Sequence, residues 1–279
     1  MIEPFLADEA FLSDVRRTRG EPGLHLWWLG QSGFLLHHEG RFALLDPYLS
    51  ESLTKKYAAT DKPHVRMTRR VVDPAKLNFI HVVTSSHNHT DHLDAETIKP
   101  LLAANPKLKL VVPEANREFV AQRLGVPLNV PEGVEDGMSV KVAGFEFHGV
   151  PAAHERREVD GMGRDQFMGY VVKAGPWTVY HSGDTVLYDG MVERMEQFNV
   201  DVALLPINGR SRERRVAGNL DGRESAQLAK IIGAGTVIPC HYDMFEFNTA
   251  SPQDFMAECE RLGQPYKVLR AGERRGILR

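Results

Sequence analysis

At 279 residues, with 42% hydrophobic and 25% charged side chains, the chain has an ordinary globular composition and enough length to bury a large core without disulfide staples. A formal net charge of −3 supplies no broad basic field, so binding of nucleic acid through its phosphates is not expected. Two cysteines, Cys240 and Cys259, make no disulfide framework, the acidic N-terminus lacks a signal peptide's basic start, and no apolar run reaches about 18 residues; a cytoplasmic protein with no membrane partner is expected.

In chain order, apolar positions Phe5, Leu6, Phe11, Leu12 and Val15 with charges between them predict an amphipathic helix over about 4–18. Three short strands follow, Leu24–Leu29, Phe34–His38 and Phe42–Leu45, separated by Gly30-Gln31-Ser32-Gly33 and Glu39-Gly40, and together they read as an antiparallel meander ending at Asp46-Pro47-Tyr48. Residues 49–75 are polar and irregular and carry no assignment. Phe79–Ser85 reads as a buried strand, Asp94–Leu102 as a helix, Leu108–Val112 as a strand and Glu114–Leu124 as a helix, an alternation that argues a layered α/β build. From Val130 the β signal returns at Val140–Val142, Phe145–Val150, Phe167–Val172 and Trp177–His181. Helices are then expected at Leu187–Phe198, Arg223–Ile232 and Pro252–Leu262, each before a strand, namely Val202–Leu205, Val237–Pro239 and Tyr266–Leu269. The order meander, α/β, meander, α/β suits two stacked sheets with helices on both outer faces, in one domain spanning residues 1–279.

The densest chemistry lies in Ser86-His87-Asn88-His89-Thr90-Asp91-His92, directly after the Phe79–Ser85 run. Imidazole and carboxylate are the ligands that borderline divalent cations prefer. In an extended segment residues two apart point the same way, so His87 and His89 can share one cation while Asp91 and His92 turn to a second. Three later positions repeat a ligand type at a strand end: His154, Asp184 after the small pair Ser182-Gly183, and His241 after Thr236–Cys240. Cys240 reads as a core thiol rather than a nucleophile.

These residues, His87-x-His89-x-Asp91-His92 followed by His154, Asp184 and His241, resemble the motif set of the metallo-β-lactamase superfamily across most of the chain. Within it, Trp27-Trp28-Leu29-Gly30-Gln31-Ser32-Gly33, Tyr180-His181-Ser182-Gly183-Asp184 and Ile238-Pro239-Cys240-His241-Tyr242-Asp243 look most like the L-ascorbate-6-phosphate lactonase branch. The resemblance implies a four-layer αββα sandwich of the α/β (α+β) class and two divalent metal ions, Zn²⁺ or Mn²⁺ ahead of Fe²⁺. His87, His89 and His154 would hold one, Asp91, His92 and His241 the other, with Asp184 between them. True β-lactamases commonly carry Cys where this chain has Asp184, and the oxygen-reducing di-iron branch carries Glu where it has His89, so neither lactam hydrolysis nor redox chemistry is implied.

The expected activity is hydrolysis of a small anionic lactone or ester by hydroxide on a binuclear metal site, with Asp91 as a catalytic residue that orients the hydroxide and with Asp243 or His181 as candidates for fixing a ligand tautomer. The alternatives are a phosphodiesterase or nuclease of the same superfamily and a non-catalytic metal-binding protein. The stretch Asn208-Gly209-Arg210-Ser211-Arg212-Glu213-Arg214-Arg215 places four arginines in six residues after a strand, so Arg212 or Arg214 is the candidate clamp for the substrate's anion, an intersubunit contact in a homo-oligomer being the competing use.

Overall fold

The computed structural model describes residues 1–278 and, at Arg212, the backbone alone. Its strands are β1 (Leu24–Gly30), β2 (Gly33–His38), β3 (Arg41–Leu45), β4 (Val82–Thr84), β5 (Lys109–Pro113), β6 (Pro131–Val134), β7 (Ser139–Val142), β8 (Phe145–Pro151), β9 (Met168–Ala174), β10 (Trp177–His181), β11 (Val202–Pro206), β12 (Thr236–Cys240) and β13 (Arg274–Ile277). Its α-helices are α1 (Asp8–Arg17), α2 (Ser52–Tyr57), α3 (Ala95–Ala104), α4 (Arg117–Leu124), α5 (Met191–Met195), α6 (Gly222–Ile231) and α7 (Gln253–Leu262). Among the described residues no helix is long and apolar enough to cross a membrane.

One sheet has the order β13-β1-β2-β3-β4-β5-β6 and the other β12-β11-β10-β9-β8-β7. Each is antiparallel in one half and parallel in the other, where α2, α3, α4, α5 and α6 lie in the crossovers that parallel pairing demands. The apolar runs explain the stacking: β1 and β11 are buried at every position, as expected of strands covered on both faces. Trp27, Phe34, Phe147 and Tyr170 fill one continuous core between and around the sheets. This is the mixed two-sheet architecture expected from the sequence.

Pairing directions send β1, β3 and β4 the same way in one sheet and β8, β10, β11 and β12 the same way in the other. Hydrogen bonds join the two sets of carboxyl ends at one edge: His241 N–H donates to Gln31 O (2.9 Å), Met168 N–H to Ser86 O (3.0 Å) and the Tyr170 hydroxyl to Ser85 O (3.0 Å).

Several elements depart from expectation. The first helix starts at Asp8 because the residues before it run along the body of the protein, Ile2 N–H bonding Met67 O and Phe5 N–H bonding Ala271 O at 2.7 Å each. The Phe79–Ser85 run shortens to Val82–Thr84, since Ile80 N–H bonds the Asn105 side chain (3.0 Å) rather than a strand neighbour. Helix α5 covers only Met191–Met195, entered through Gly190 at φ 86°. Tyr266–Leu269 contributes one parallel bridge, Tyr266 to Val237, and the strand of that region is β13, an edge strand on β1.

A buried imidazole ties α1 to the β2–β3 hairpin. His37 accepts the Gly40 N–H at Nε2 (3.0 Å), which places its proton on Nδ1, facing the Thr18 hydroxyl at 3.0 Å. Burial, with neighbouring positive groups, lowers its pKa to about 4. A histidine depressed in the folded state contributes stability that is complete above the unfolded value near 6.5 and lost as pH falls toward the folded value. By pH 5 the loss amounts to about 2 kcal/mol. Urea unfolding of the wild type and His37→Gln at pH 7.5 and pH 5 checks this: the wild type should lose about 2 kcal/mol more than the variant. Equal losses would show that His37 does not titrate in this way.

Candidate metal centre

The segment after β4 turns at a buried carboxylate. Asp46, at the end of β3 and fully buried, accepts hydrogen bonds from Ser86 N–H (3.0 Å), the Ser86 hydroxyl, the Thr84 hydroxyl (2.9 Å) and His92 Nδ1 (2.7 Å). Burial opposes its ionisation, but the His92 hydrogen bond and the adjacent imidazoles outweigh it and hold the carboxyl below the usual range. The bond to Nδ1 leaves His92 Nε2 as the atom free to act as a ligand. Ser86 Oγ stands 3.0 Å from His87 Nδ1, and Gly218 O 2.9 Å from His154 Nδ1, so each of those rings likewise turns Nε2 inward.

Asp184 reaches the same spot from β10 through Gly183. That glycine has φ 62°, and a Cβ there would sit 2.7 Å from Met168 O and 2.8 Å from Ser86 Cβ, so only glycine lets the two sheet edges close at this turn. His154 follows β8, and His241, at φ 65°, follows β12.

The result is two abutting donor groups. The ligand atoms of His87, His89 and His154 lie within 4.8 Å of one another, and so do those of Asp91, His92, Asp184 and His241. Asp184 touches both: Oδ2 is 3.7 Å from His154 Nε2 and 3.4 Å from His241 Nε2, while Oδ1 is 3.3 Å from His92 Nε2. Asp91 Oδ2 is 3.6 Å from both His92 Nε2 and His241 Nε2. Phe167 packs on all three imidazoles of the first group, with ring centroids 4.9 Å from His87 and 5.8 Å from His89 and His154.

The donor set fits a cation. His87 Nε2, His92 Nε2 and Asp184 Oδ1 are buried without a hydrogen-bond partner, an expense that convergent ligand atoms avoid when they share a positive ion. Burial pushes the His87 imidazole well below its ordinary range, making it the neutral ligand a metal needs. Burial would also lower His92, yet the Asp184 and Asp91 carboxylates raise it well above; burial would raise Asp184, yet His92 and His241 hold it well below. This corner of the site therefore favours a positive charge, and a metal entering it competes with a proton, so affinity falls as pH falls.

All seven residues singled out as ligands are brought together; other expectations land elsewhere. His181 Nε2 bonds Ser32 O (2.8 Å), and Asp243 takes part through its backbone, its N–H on Thr249 Oγ1 (2.8 Å) and its carbonyl under the Thr68 hydroxyl (2.5 Å), so the ring-orienting role on His92 belongs to Asp46. Arg214 directs its guanidinium to Asn248 Oδ1 and Asn208 O at 2.7 Å each and is not among the residues lining the cavity at the donor groups; the side chain of Arg212 lies outside the described structure. That cavity, of about 420 Å³, is lined instead by the cations Lys56, Lys62 and Arg123 and by Tyr57, His64 and Phe247. Asp46, Ser86, Gly218 and Phe167 had no assigned role in the sequence reading. An acid closing an apolar strand, as Asp46 does, was the one signal available.

Two sheets that deliver histidines and carboxylates to a common edge form the scaffold of a metal-dependent hydrolase, and comparison with known proteins agrees. Residues 41–242 match the beta-lactamase superfamily domain, and the chain belongs to the metallo-β-lactamase superfamily. It is similar to the UPF0173 metal-dependent hydrolase of Methanoregula boonei, 31% identical over 242 residues covering 85% of this chain and 90% of the relative. The corresponding protein of Methanopyrus kandleri is 31% identical over 250 residues, covering 88% and 96%. Among solved structures, Igni18, a novel metallo hydrolase from Ignicoccus hospitalis, shares the fold with a TM-score of 0.67 at 23% identity, covering 92% of this chain and 99% of that one.

Replacing Asp46 by Ala removes the orienting bond on His92 and leaves the Ser86 and Thr84 donors buried without an acceptor. Metal affinity should fall about 10- to 100-fold, the usual effect of losing a ligand's hydrogen-bond partner. Competition against a chromophoric chelator measures it; wild-type affinity in folded Asp46→Ala protein would remove Asp46 from the site.

Proposed function

We propose that the protein is a binuclear metal hydrolase acting on a small anionic ester or lactone. The observation that carries this reading is the position of Asp184, whose two oxygens face imidazoles of both donor groups. His87, His89 and His154 would hold one divalent cation, and Asp91, His92 and His241 the other, with Asp184 shared; a His/Asp set of this kind suits Zn²⁺ or Mn²⁺, and Fe²⁺ after them. Such cations supply Lewis acidity, bringing the pKa of water toward neutrality and polarising the bond under attack.

The chain's own residues do the rest. Asp91 is the least buried carboxylate of the second group, 16% of its side chain exposed, and opens on the cavity, where it can orient an attacking water and take up its proton. Tyr57 stacks on His64 (4.3 Å) and Phe247 meets the same ring edge-on (4.5 Å), giving an aromatic wall for the body of the substrate. Lys56, over the Tyr57 ring at 5.0 Å, Lys62, which donates to Arg215 O, and Arg123 line the cavity without a carboxylate partner among the described residues, so no acid neutralises the charge they offer an anion. Arg123 also donates to Asn88 O (2.6 Å) and Leu93 O (3.2 Å), so it braces the ligand loop from behind. The cavity's size favours a small molecule over a nucleic acid strand, and the lactonase-like motifs favour a lactone among small esters.

Elemental analysis of protein never exposed to chelator should give about two divalent ions per chain; one or none in active protein would sink the binuclear reading. A panel of lactones, carboxylic esters and a generic phosphodiester then separates the lactonase from the phosphodiesterase alternative, and turnover of none of them by fully loaded protein would favour a non-catalytic metal-binding role. Lys56→Ala with Lys62→Ala should raise KM for an anionic ester on the order of 10-fold, about 1 kcal/mol for partly exposed charges, with metal content unchanged. Equal effects on charged and neutral esters would free these lysines of the role.

A further inference from the structure

The turn Gly30-Gln31-Ser32-Gly33 connects β1 to β2 and needs nothing of its second residue beyond a willing backbone. Gln31 sits there at φ 50°, in the left-handed region where glycine or asparagine is at ease and glutamine is strained. Its side chain is 1% exposed, and its Oε1 is buried with no hydrogen-bond partner. A strained backbone and an orphaned oxygen both oppose glutamine, so what favours it must lie in the amide nitrogen.

That nitrogen lies 2.8 Å from Asp91 Oδ2 and 3.1 Å from His241 Nε2. A carboxylate oxygen only accepts, so the group facing it is the NH₂ end of the amide. The two atoms it touches come from different sheets, Asp91 from the segment after β4 and His241 from the end of β12. The backbone of Gln31 is fixed to the same partner: its carbonyl accepts His241 N–H (2.9 Å) and the Trp28 indole N–H (2.9 Å), and Trp28 in turn stacks on Tyr242 at 4.3 Å. Gln31 therefore ties the end of β12, on the opposite sheet, to Asp91, which follows a strand of Gln31's own sheet.

We infer that Gln31 is a positioning residue for the second donor group, fixing the ligand oxygen of Asp91 relative to His241; the inference rests on the two-cation reading of the site. Asp91 is the least buried of its four-membered group and lies on a loop, so it is the ligand with most freedom to stray. One N–H on Oδ2 occupies a lone pair and aims the other into the group, as partners of ligating carboxylates do elsewhere. No hydrogen bond joins Gln31 to His87, His89 or His154 among the described residues, so its effect is confined to one of the two groups.

The test is titration of chelator-stripped, full-length protein with Co²⁺, following the visible spectrum, in the wild type, Gln31→Ala and Gln31→Met. Methionine keeps the bulk and the packing but has no N–H. In both variants one equivalent should bind as in the wild type and the other should weaken about 10- to 100-fold with an altered spectrum, whichever group fills first. Thermal unfolding of the metal-free proteins identifies a folding defect; should Gln31→Ala not fold, Gln31→Met is the variant that decides. Wild-type behaviour in Gln31→Met, or equal weakening of both equivalents, would overturn the assignment. A wild type that binds a single equivalent would refute the two-cation reading instead, and Gln31 would then stand or fall on whether Gln31→Met weakens that equivalent.

Discussion

Everything at this edge of the protein depends on the charge of Asp184 being kept where water hardly reaches. A carboxylate with 3% of its residue surface exposed is tolerable only if positive charge meets it, and the structure supplies imidazoles from three segments around its two oxygens. The imidazoles alone do not complete the arrangement, because the inward nitrogens of His87 and His92 have no hydrogen-bond partner. A shared cation would resolve both conditions at once, and with it the seven histidines and aspartates that read as ligands in the sequence can be gathered without a penalty that would unfold them.

Holding such a group requires backbone conformations that the chain would not choose locally. Gln31, Asp46 and His241 all have positive φ, at 50°, 42° and 65°, and none is glycine. Each costs roughly 1 kcal/mol, a sum that is a sizeable part of a typical domain's net stability. The strain is sustained because it falls at the ends of β1, β3 and β12, where the carboxyl ends of the strands are buried and hydrogen bonds between the sheets leave no looser alternative. The large core thus serves the site directly, by making strained strand ends the lowest-energy arrangement available.

What could be read from the sequence followed the same division. Apolar runs bounded by turn residues were legible, and so were the seven ligand-type residues, whose identities and strand-end positions are local facts. The edge strands β6 and β13 were not, since Pro131-Glu132-Gly133-Val134 and Arg274-Arg275-Gly276-Ile277 lack any apolar alternation and owe their conformation to the neighbour they pair with. Asp46 reads in the sequence only as the end of the meander; its role arises because parallel pairing of β3 with β4 brings it beside Ser86 and His92. For Arg214 the reason is the opposite, charge density being visible in sequence while its partners, Asn208 and Asn248, are set by the fold.

The least legible stretch, residues 49–75, proves to be the most informative about selectivity. It carries α2 and contributes Leu53, Lys56, Tyr57, Lys62 and His64 to the cavity wall. Its apolar anchor, Leu53, packs with Tyr48, Met244 and Phe245 in a small cluster separate from the main core. Ligand geometry is thereby built on strand ends rooted in the sandwich, whereas the wall that meets the substrate rests on a satellite cluster of four buried side chains. Substitutions in that wall can change which molecule fits the cavity without disturbing the donor atoms, because the two are supported by different packing. Within a superfamily sharing one scaffold, this separation is a physical reason why motif residues report the class of chemistry while the substrate is written in the intervening loop.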